Sequence, residues 1–221
     1  MNTFLILFFR FFLYSFIGWI IETIYVSIKN KKVANRGFLI GPYCPIYGLS
    51  ALLMTYLLSN YKNDILILFI VGLFIASLLE YITSLLLEKM FKVRWWDYSD
   101  HLLNIDGRVC LFNSLLFGLL CIFLVQFLDP AIVNFINNIP ENIRFITSIT
   151  FLIIFTSDTL LSYITIFKLE RLAFIKYELK KDYTEEIARK VKATLLAESR
   201  TFRRLLKAFP NLNILNKFKV K

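Results

Sequence analysis

Histidine and cysteine are scarce in this sequence: its 221 residues include one histidine and three cysteines. Cys44, Cys110 and Cys121 form no C-x-x-C spacing, and together with His101 they give no metal-ligand set and no Ser/His/Asp triad. We therefore predict no disulfide, no metal site, no cofactor and no catalytic residue. The three cysteines are expected to be small buried apolar residues.

The sequence has no G-x-x-x-x-G-K-[ST] phosphate-binding loop, so any ATP hydrolysis linked to it must come from another chain. Glycine is also rare, with 7 residues, whereas phenylalanine occurs 23 times and 57% of the residues are hydrophobic. This composition is too apolar for an ordinary soluble domain. A membrane protein is therefore the expected class.

Five apolar windows are long enough to cross a hydrocarbon core of about 30 Å, which takes roughly 20 helical residues. They lie near residues 4–28, 38–58, 65–87, 109–128 and 145–167. We therefore predict an all-α, polytopic integral membrane protein with five transmembrane helices in a membrane domain, residues 1–167. A basic cytosolic helical tail, residues 168–221, follows.

The basic residues are distributed unevenly between the predicted loops. Loops 29–37 and 88–108 and the tail hold 23 of the 26 lysines and arginines, whereas the other two loops hold only Lys62 and Arg144. Because Lys and Arg concentrate in cytoplasmic loops, this predicts an N-terminus outside and a C-terminus in the cytosol. The net charge of +10 is then expected to attract anionic membrane lipids. No nucleic-acid partner is predicted.

The tail has the composition of a helix, with neither Gly nor Pro between Lys168 and Pro210 and many Leu, Ala, Glu, Lys and Arg residues. Apolar residues make a stripe on its charged surface. They are Leu172, Ile175, Leu179, Ile187, Val191 and Leu195. Such an amphipathic helix can lie on the inner leaflet or dock on a partner. The alternative is a solvated extension of the fifth span that packs on its own loops.

Four ionisable residues lie inside the predicted spans, where each costs at least about 2.5–3.5 kcal/mol at the centre. Glu22, Glu80 and Asp158 all fall roughly 9–13 Å from the cytosolic ends of their spans, so they share one layer. Arg10 lies nearer the outer end, and its long side chain can snorkel outward. We interpret Arg10 as an orientation device and the three acids as a polar site.

The second span is interrupted near its start by Gly41, Pro42 and Pro45, which predict an unwound or re-entrant segment with free backbone amides and carbonyls. Broken helices often accompany intramembrane carboxylates in transporters. One interpretation is a cavity that contains the three acids, with Arg36 and Arg108 completing the polar site. The alternative is a kink for close packing, with the acids held by these arginines or by hydroxyl groups.

The loop 88–108 combines aromatic residues with acids. Trp95, Trp96 and Tyr98 suit a membrane–water interface, and Asn104 and Gly107 supply turn chemistry. Acids and an arginine that can form ion pairs or hydrogen-bonded turns accompany them: Asp97, Asp100, Asp106 and Arg108. Two interpretations stay open, an interfacial aromatic belt and a lid over the cytosolic mouth.

Four blocks, in this order, carry a family resemblance: YSFIGWIIETIY (14–25), NRGFLIGPYCPIYG (35–48), LEYITSLLLEKMF (79–91) and RWWDYSDHLLNIDGRVCL (94–111). They resemble the bacterial membrane family called putative ABC-transporter type IV, or CmpB-like. The family-motif loop is carried by Trp95, Trp96, Asp97, Tyr98, Ser99, Asn104 and Gly107. The resemblance implies a permease in a bacterial plasma membrane; His101 and the tail fall outside its pattern.

Three functions remain open at this stage. The first is a permease subunit of a transport system, which requires a separate cytosolic ATPase subunit and, because five spans are few for a pathway, a homo-oligomer. The second is a non-catalytic membrane scaffold or regulator. The third is an inner-leaflet lipid enzyme in which one of the three acids acts as general base and Arg36 and Arg108 hold a phosphate.

Overall fold

A computed structural model of the chain describes residues 3–31, 37, 39–91 and 94–182, most of which are helical. The helices are α1 (Thr3–Asn30), α2 (Pro45–Leu58), α3 (Ile65–Phe91), α4 (Leu111–Phe123), α5 (Asp129–Asn138) and α6 (Glu141–Asp182). A 3-10 turn, Ser59–Tyr61, follows α2, and a π turn, Leu124–Leu128, joins α4 to α5. Two short antiparallel strands, β1 (Asn104–Ile105) and β2 (Val109–Cys110), form a hairpin before α4.

Among the described residues, four helical stretches are long and apolar enough to cross a membrane. They are Thr3–Ile28, Ile65–Met90, Leu111–Asn138 and Glu141–Thr165, and they correspond to the first, third, fourth and fifth predicted spans. The second predicted span contains only α2, with 14 residues. Such a helix is about 21 Å long, short of the roughly 30 Å hydrocarbon core. Among the described residues, four helical stretches thus have the length and composition of a membrane span, and the fifth span stays a prediction.

The short length of α2 follows from its prolines. Proline suits the first turn of a helix, where its missing N–H is not needed, and α2 begins at Pro45. The preceding residue, Cys44, is extended with φ −117° and ψ 99°, as proline requires of its neighbour. Residues 39–42 form bends, so Gly41 and Pro42 lie in irregular backbone before the helix.

The fourth span is longer than its predicted window, which ended at residue 128. The helix continues through the π turn, where the amide of Asp129 donates to the carbonyl of Leu124. Pro130 has no N–H and its ring would clash with a carbonyl four residues earlier in a regular helix. The wider π turn accommodates this proline, and α5 carries the helix on to Asn138.

The chain alternates in direction from helix to helix, which places its connections at two ends. The loop end holds residues 39–44 and 94–110, and the turn end holds residues 59–64 and 139–140. The closest packing is between α1 and α2 and between α3 and α4. At Gly72 of α3, a Cβ atom would lie 2.3 Å from the Cβ of Cys121 on α4, so only glycine permits this approach. Phe12 and Phe151, stacked at 4.1 Å, connect α1 with α6.

The predicted tail is described only in part. The backbone of α6 is helical without interruption to Asp182, which includes residues 168–182 of the tail. Residues 183–221 lie outside the described part of the chain. The amphipathic tail helix therefore remains a prediction.

Candidate functional site

Two glutamates and two tyrosines meet at the loop end, and we call them the Glu–Tyr cluster. The hydroxyl of Tyr47 on α2 donates to Glu22 Oε2 on α1 at 2.9 Å. The hydroxyl of Tyr98, in the loop, donates to Glu80 Oε1 on α3 at 3.1 Å. Glu22 also lies within electrostatic range of Glu80 and Tyr98. Three helices and the loop 94–110 thus contribute to one polar centre.

Glu80 is the more deeply buried of the two glutamates, with 7% of its surface exposed. Its Oε1 accepts the bond from Tyr98, whereas its Oε2 is buried and has no hydrogen-bond partner among the described residues. Burying a carboxyl oxygen without a donor is costly. A group of this kind in a folded protein calls for an explanation.

The donor to Glu80 is a tyrosine that keeps its proton. Burial, the nearby charge of Glu80 and the hydrogen bond to it raise the pKa of Tyr98 well above the ordinary value of a phenol. The neutral hydroxyl therefore donates throughout the physiological range. At the preceding residue, hydrogen bonds from Ser99 lower the pKa of Asp97, and Arg94 lies 3.5 Å from this carboxylate.

The arginine predicted to join the acids has another partner. Arg108 Nη1 lies 2.8 Å from Glu88 Oε2 and donates to Ser84 Oγ at 3.1 Å. Glu80, Ser84 and Glu88 are spaced by four residues on one face of α3, so Arg108 binds one to two turns away from Glu80. In the described residues Arg108 is thus paired with Glu88, and its place in the predicted polar site stays a prediction. Arg36, the other predicted arginine, lies outside the described residues.

The aromatic residues of the loop 94–110 turn inward. Trp95 is 8% exposed, Trp96 Nε1 donates to the carbonyl of Arg108 at 2.9 Å, and Tyr98 binds Glu80. Turn bonds from Asn104 brace the loop: its side chain donates to the carbonyls of Ser99 and His101 and accepts from the amide of Gly107. Gly107 has φ +65°. These contacts favour a cover over Glu80 and disfavour an exposed aromatic belt.

Asp158 is bound by the bent segment before α2 and by its own helix. Its carboxylate accepts from the amides of Ile40 at 2.9 Å and Gly41 at 2.7 Å, from the hydroxyl of Tyr43, and from Ser162 at 3.0 Å. Successive amides directed at one carboxylate form an anion-binding concavity. The free amides predicted for the broken helix are therefore directed at Asp158, which fastens α6 to the bend.

A second polar centre, near the turn end, was not predicted. Arg10 on α1 forms an ion pair with Asp129, and the hydroxyl of Tyr14 donates to the same carboxylate. Arg10 also lies 3.4 Å from Thr55 Oγ1 on α2. The prediction that Arg10 snorkels outward is wrong, because its guanidinium has a buried partner inside the bundle.

Sequence reasoning missed Asp129 because the fourth window was ended one residue before it. A usable signal was present, since the apolar pattern resumes after Asp129 and Pro130 and continues to Ile136. Arg10 and Glu22 are separated by twelve residues, about 18 Å along α1. The two polar centres therefore lie near opposite ends of the bundle.

The described residues include no group of three or more His, Cys, Asp and Glu side chains placed to hold a metal ion. The three cysteines are buried free thiols.

A sequence model of the family described as Putative ABC-transporter type IV matches residues 9–163. That range contains both polar centres, the bend and Asp158. No curated protein and no solved structure matches the chain.

Proposed function

We propose that this chain, which belongs to the Putative ABC-transporter type IV family, is the membrane-embedded permease subunit of a transport system. The Glu–Tyr cluster is the polar site in this proposal. One observation carries it: Glu80 is buried within a spanning helix, close to a second carboxyl, and one of its oxygens has no donor among the described residues. An ionisable group kept at such a cost inside a membrane helix marks a functional site by default.

The surroundings of the cluster support a transport role. Tyr47 stands on α2, which begins only after the bend at 39–42, and broken helices of this kind line the polar sites of transporters. Tyr98 belongs to the loop that covers Glu80, so the loop acts as a lid whose opening breaks the hydrogen bond between them. Opening exposes both oxygens of Glu80 to a polar substrate.

The proposal includes an orientation and partners. In this proposal the loop end faces the cytosol of a bacterial cell and the N-terminus lies outside, which the concentration of basic residues in the loops supports. A separate ATPase subunit binds at the loop end or on the tail, because this chain has no phosphate-binding loop. Four stretches long and apolar enough to span are few for a complete pathway. The proposed assembly therefore contains a second copy of the chain, and anionic lipids surround it.

Purification from the native membrane in mild detergent tests the permease assignment. We expect a stoichiometric ATP-hydrolysing chain to co-purify, and we expect Glu80→Gln to abolish substrate-dependent hydrolysis while protein abundance is unchanged. Glu88→Gln is the matched control, since Glu88 lies on the same face of α3 but is partly exposed and paired with Arg108. It should retain most of the activity.

A scaffold is the second candidate, and it is favoured by the internal pairing of Asp158 and of Arg10 with Asp129. A homo-oligomer that purifies without an ATPase, combined with a Glu80→Gln variant that simply fails to accumulate, would reject the permease in favour of this role.

A further inference from the structure

Three apolar side chains of the loop 94–110 point away from the bundle. Leu102 is 83% exposed, Leu103 68% and Ile105 61%, and we call them the exposed apolar tip. Leu103 has φ +50°, in the left-handed region that disfavours branched, bulky side chains. The loop therefore holds a leucine in a strained conformation at its surface, while its tryptophans are turned inward.

Backbone and side-chain bonds fix the level of this tip along the bundle. The carbonyl of Leu103 accepts from the amide of Leu111 at 3.3 Å, and Leu111 is the first residue of the spanning stretch Leu111–Asn138. Asp106 accepts from the hydroxyl of Tyr81 at 2.7 Å. Tyr81 precedes the end of α3, at Phe91, by ten residues, about 15 Å. The tip thus lies beside α3 at the start of α4, not beyond the ends of the helices.

The surface next to the tip is also apolar. Exposed side chains occur on the adjoining turns of the two helices: Ile82, Leu85, Leu111 and Phe112. These turns belong to spanning stretches, so their exposed side chains face acyl chains. The tip continues this lipid-facing surface toward the loop end, where apolar side chains beside polar turns match the headgroup region.

We propose that Leu102, Leu103 and Ile105 form an interfacial membrane anchor that enters the boundary between headgroups and acyl chains on the loop side. The polar side of the same turn, with Asp100 and His101, stays in water. Lipid is favoured over a protein partner because the tip is level with the first turn of a spanning helix. The anchor is independent of the transport proposal, although it would fasten the loop that supplies Tyr98 to the bilayer.

Site-directed fluorescence on the full-length protein in phospholipid nanodiscs, purified without partners, tests the anchor. Cysteine is introduced by Leu102→Cys or by Ile105→Cys and labelled with an environment-sensitive fluorophore. Asp100→Cys, two residues from Leu102, is the matched control. The native cysteines are buried, and the labelled wild type gives the background. Nitroxide lipids spin-labelled near the headgroup and aqueous iodide serve as the two quenchers.

The anchor predicts strong quenching of the labels at 102 and 105 by nitroxide lipid and several-fold protection from iodide, relative to the label at 100. Equal iodide quenching at all three positions would overturn it. Protection in native membranes that disappears in the purified nanodiscs would also overturn it, because a protein and not lipid would then cover the tip. The two probe positions are independent, so the failure of one variant to fold leaves the other to decide.

Discussion

The two ends of the bundle handle buried charge in different ways. Near the turn end, Asp129 has a guanidinium and a phenol as partners, from Arg10 and Tyr14. At the loop end, Glu80 has one neutral donor, Tyr98, and a second oxygen without any among the described residues. A paired charge inside a membrane bundle stabilises a packing arrangement, whereas an incompletely partnered carboxyl remains available for a ligand. Asp129 is therefore a structural acid, and Glu80 is the candidate functional one.

Asp158 resembles Asp129 in this comparison and differs from Glu80. Four donors reach its carboxylate, two of them backbone amides of the bend before α2. Asp158 and Glu80 lie at similar predicted depths in the membrane. They differ in their donors, because four reach the carboxylate of Asp158 and one reaches that of Glu80. Substitutions at these acids and their donors should lower the free energy of unfolding by different amounts.

Removal of the guanidinium near the turn end should have the largest effect. Arg10→Met leaves Asp129 buried without its counter-charge, which we expect to lower the free energy of unfolding by about 3–5 kcal/mol. Reversible unfolding in detergent micelles measures the change. The double variant Arg10→Met with Asp129→Leu removes both charges and should recover most of the loss. If Arg10→Met alone unfolds like the wild type, the pair is not structural.

Substitution of Asp158, whose carboxylate binds the bend, should have the second-largest effect on the free energy of unfolding. Asp158→Asn keeps the shape of the side chain but replaces one acceptor with a donor facing the amides of Ile40 and Gly41. We expect a loss of about 3 kcal/mol, the upper end of the range for hydrogen bonds to a charged group, since two amide bonds are affected. Ser162→Ala is the control, since it removes one of the four donors but keeps the charge and both amide bonds, and should cost about 1.5 kcal/mol, the lower end of the same range. Equal losses in the two variants would show that the amides do not depend on the charge.

The bond that closes the loop over Glu80 should be worth less and should depend on pH. At neutral pH, Tyr98→Phe is expected to cost about 1.5 kcal/mol, the lower end of the range for a hydrogen bond to a charged group, because it removes a single bond. Burial and the charge of Glu80 raise the folded-state pKa of Tyr98 above its unfolded value. The contribution of its hydroxyl is therefore fully present below about pH 10, the ordinary phenol pKa, and is lost as the pH rises toward the folded-state value.

Unfolding of the wild type and the Phe variant at pH 8 and pH 11 checks this sign. The stability difference between the two proteins should shrink at the higher pH, because the unfolded phenol ionises there and the folded one does not. Other tyrosines and lysines titrate in both proteins and cancel in the difference. A gap that is constant or grows with pH would contradict the buried, neutral hydroxyl.

The sequence placed Glu22 and Glu80 in one layer because helix rise converts residue number into depth. Depth does not give the direction in which a side chain points around its helix. The sequence therefore predicts one polar site that contains Asp158 and Arg108 together with the glutamates. In the structure Asp158 accepts from the bend and Arg108 pairs with Glu88. Those directions depend on how helices distant in sequence pack together.

The missed and misread residues at the turn end have a different cause. A window of apolar residues stops at an Asp-Pro pair, so the π turn that carries the helix past Pro130 was not foreseen. If Asp129 is left out of the bundle, the sequence offers no carboxylate near Arg10. An outward orientation of its side chain then costs less free energy than burying an unpaired charge. The bend before α2 was easier to locate, since Gly41, Pro42 and Pro45 restrict the backbone locally.

The smallest stability change is expected at the proposed site itself. Glu80→Gln removes a buried charge but retains an acceptor for Tyr98, so the free energy of unfolding should stay within about 1 kcal/mol of the wild type or rise. This is opposite in sign to the effect of Arg10→Met. Chemical unfolding of both variants in the same detergent makes the comparison direct. A loss at Glu80 as large as that at Arg10 would mean that its carboxylate has an unseen internal partner, and Glu80 would then be as structural as Asp129.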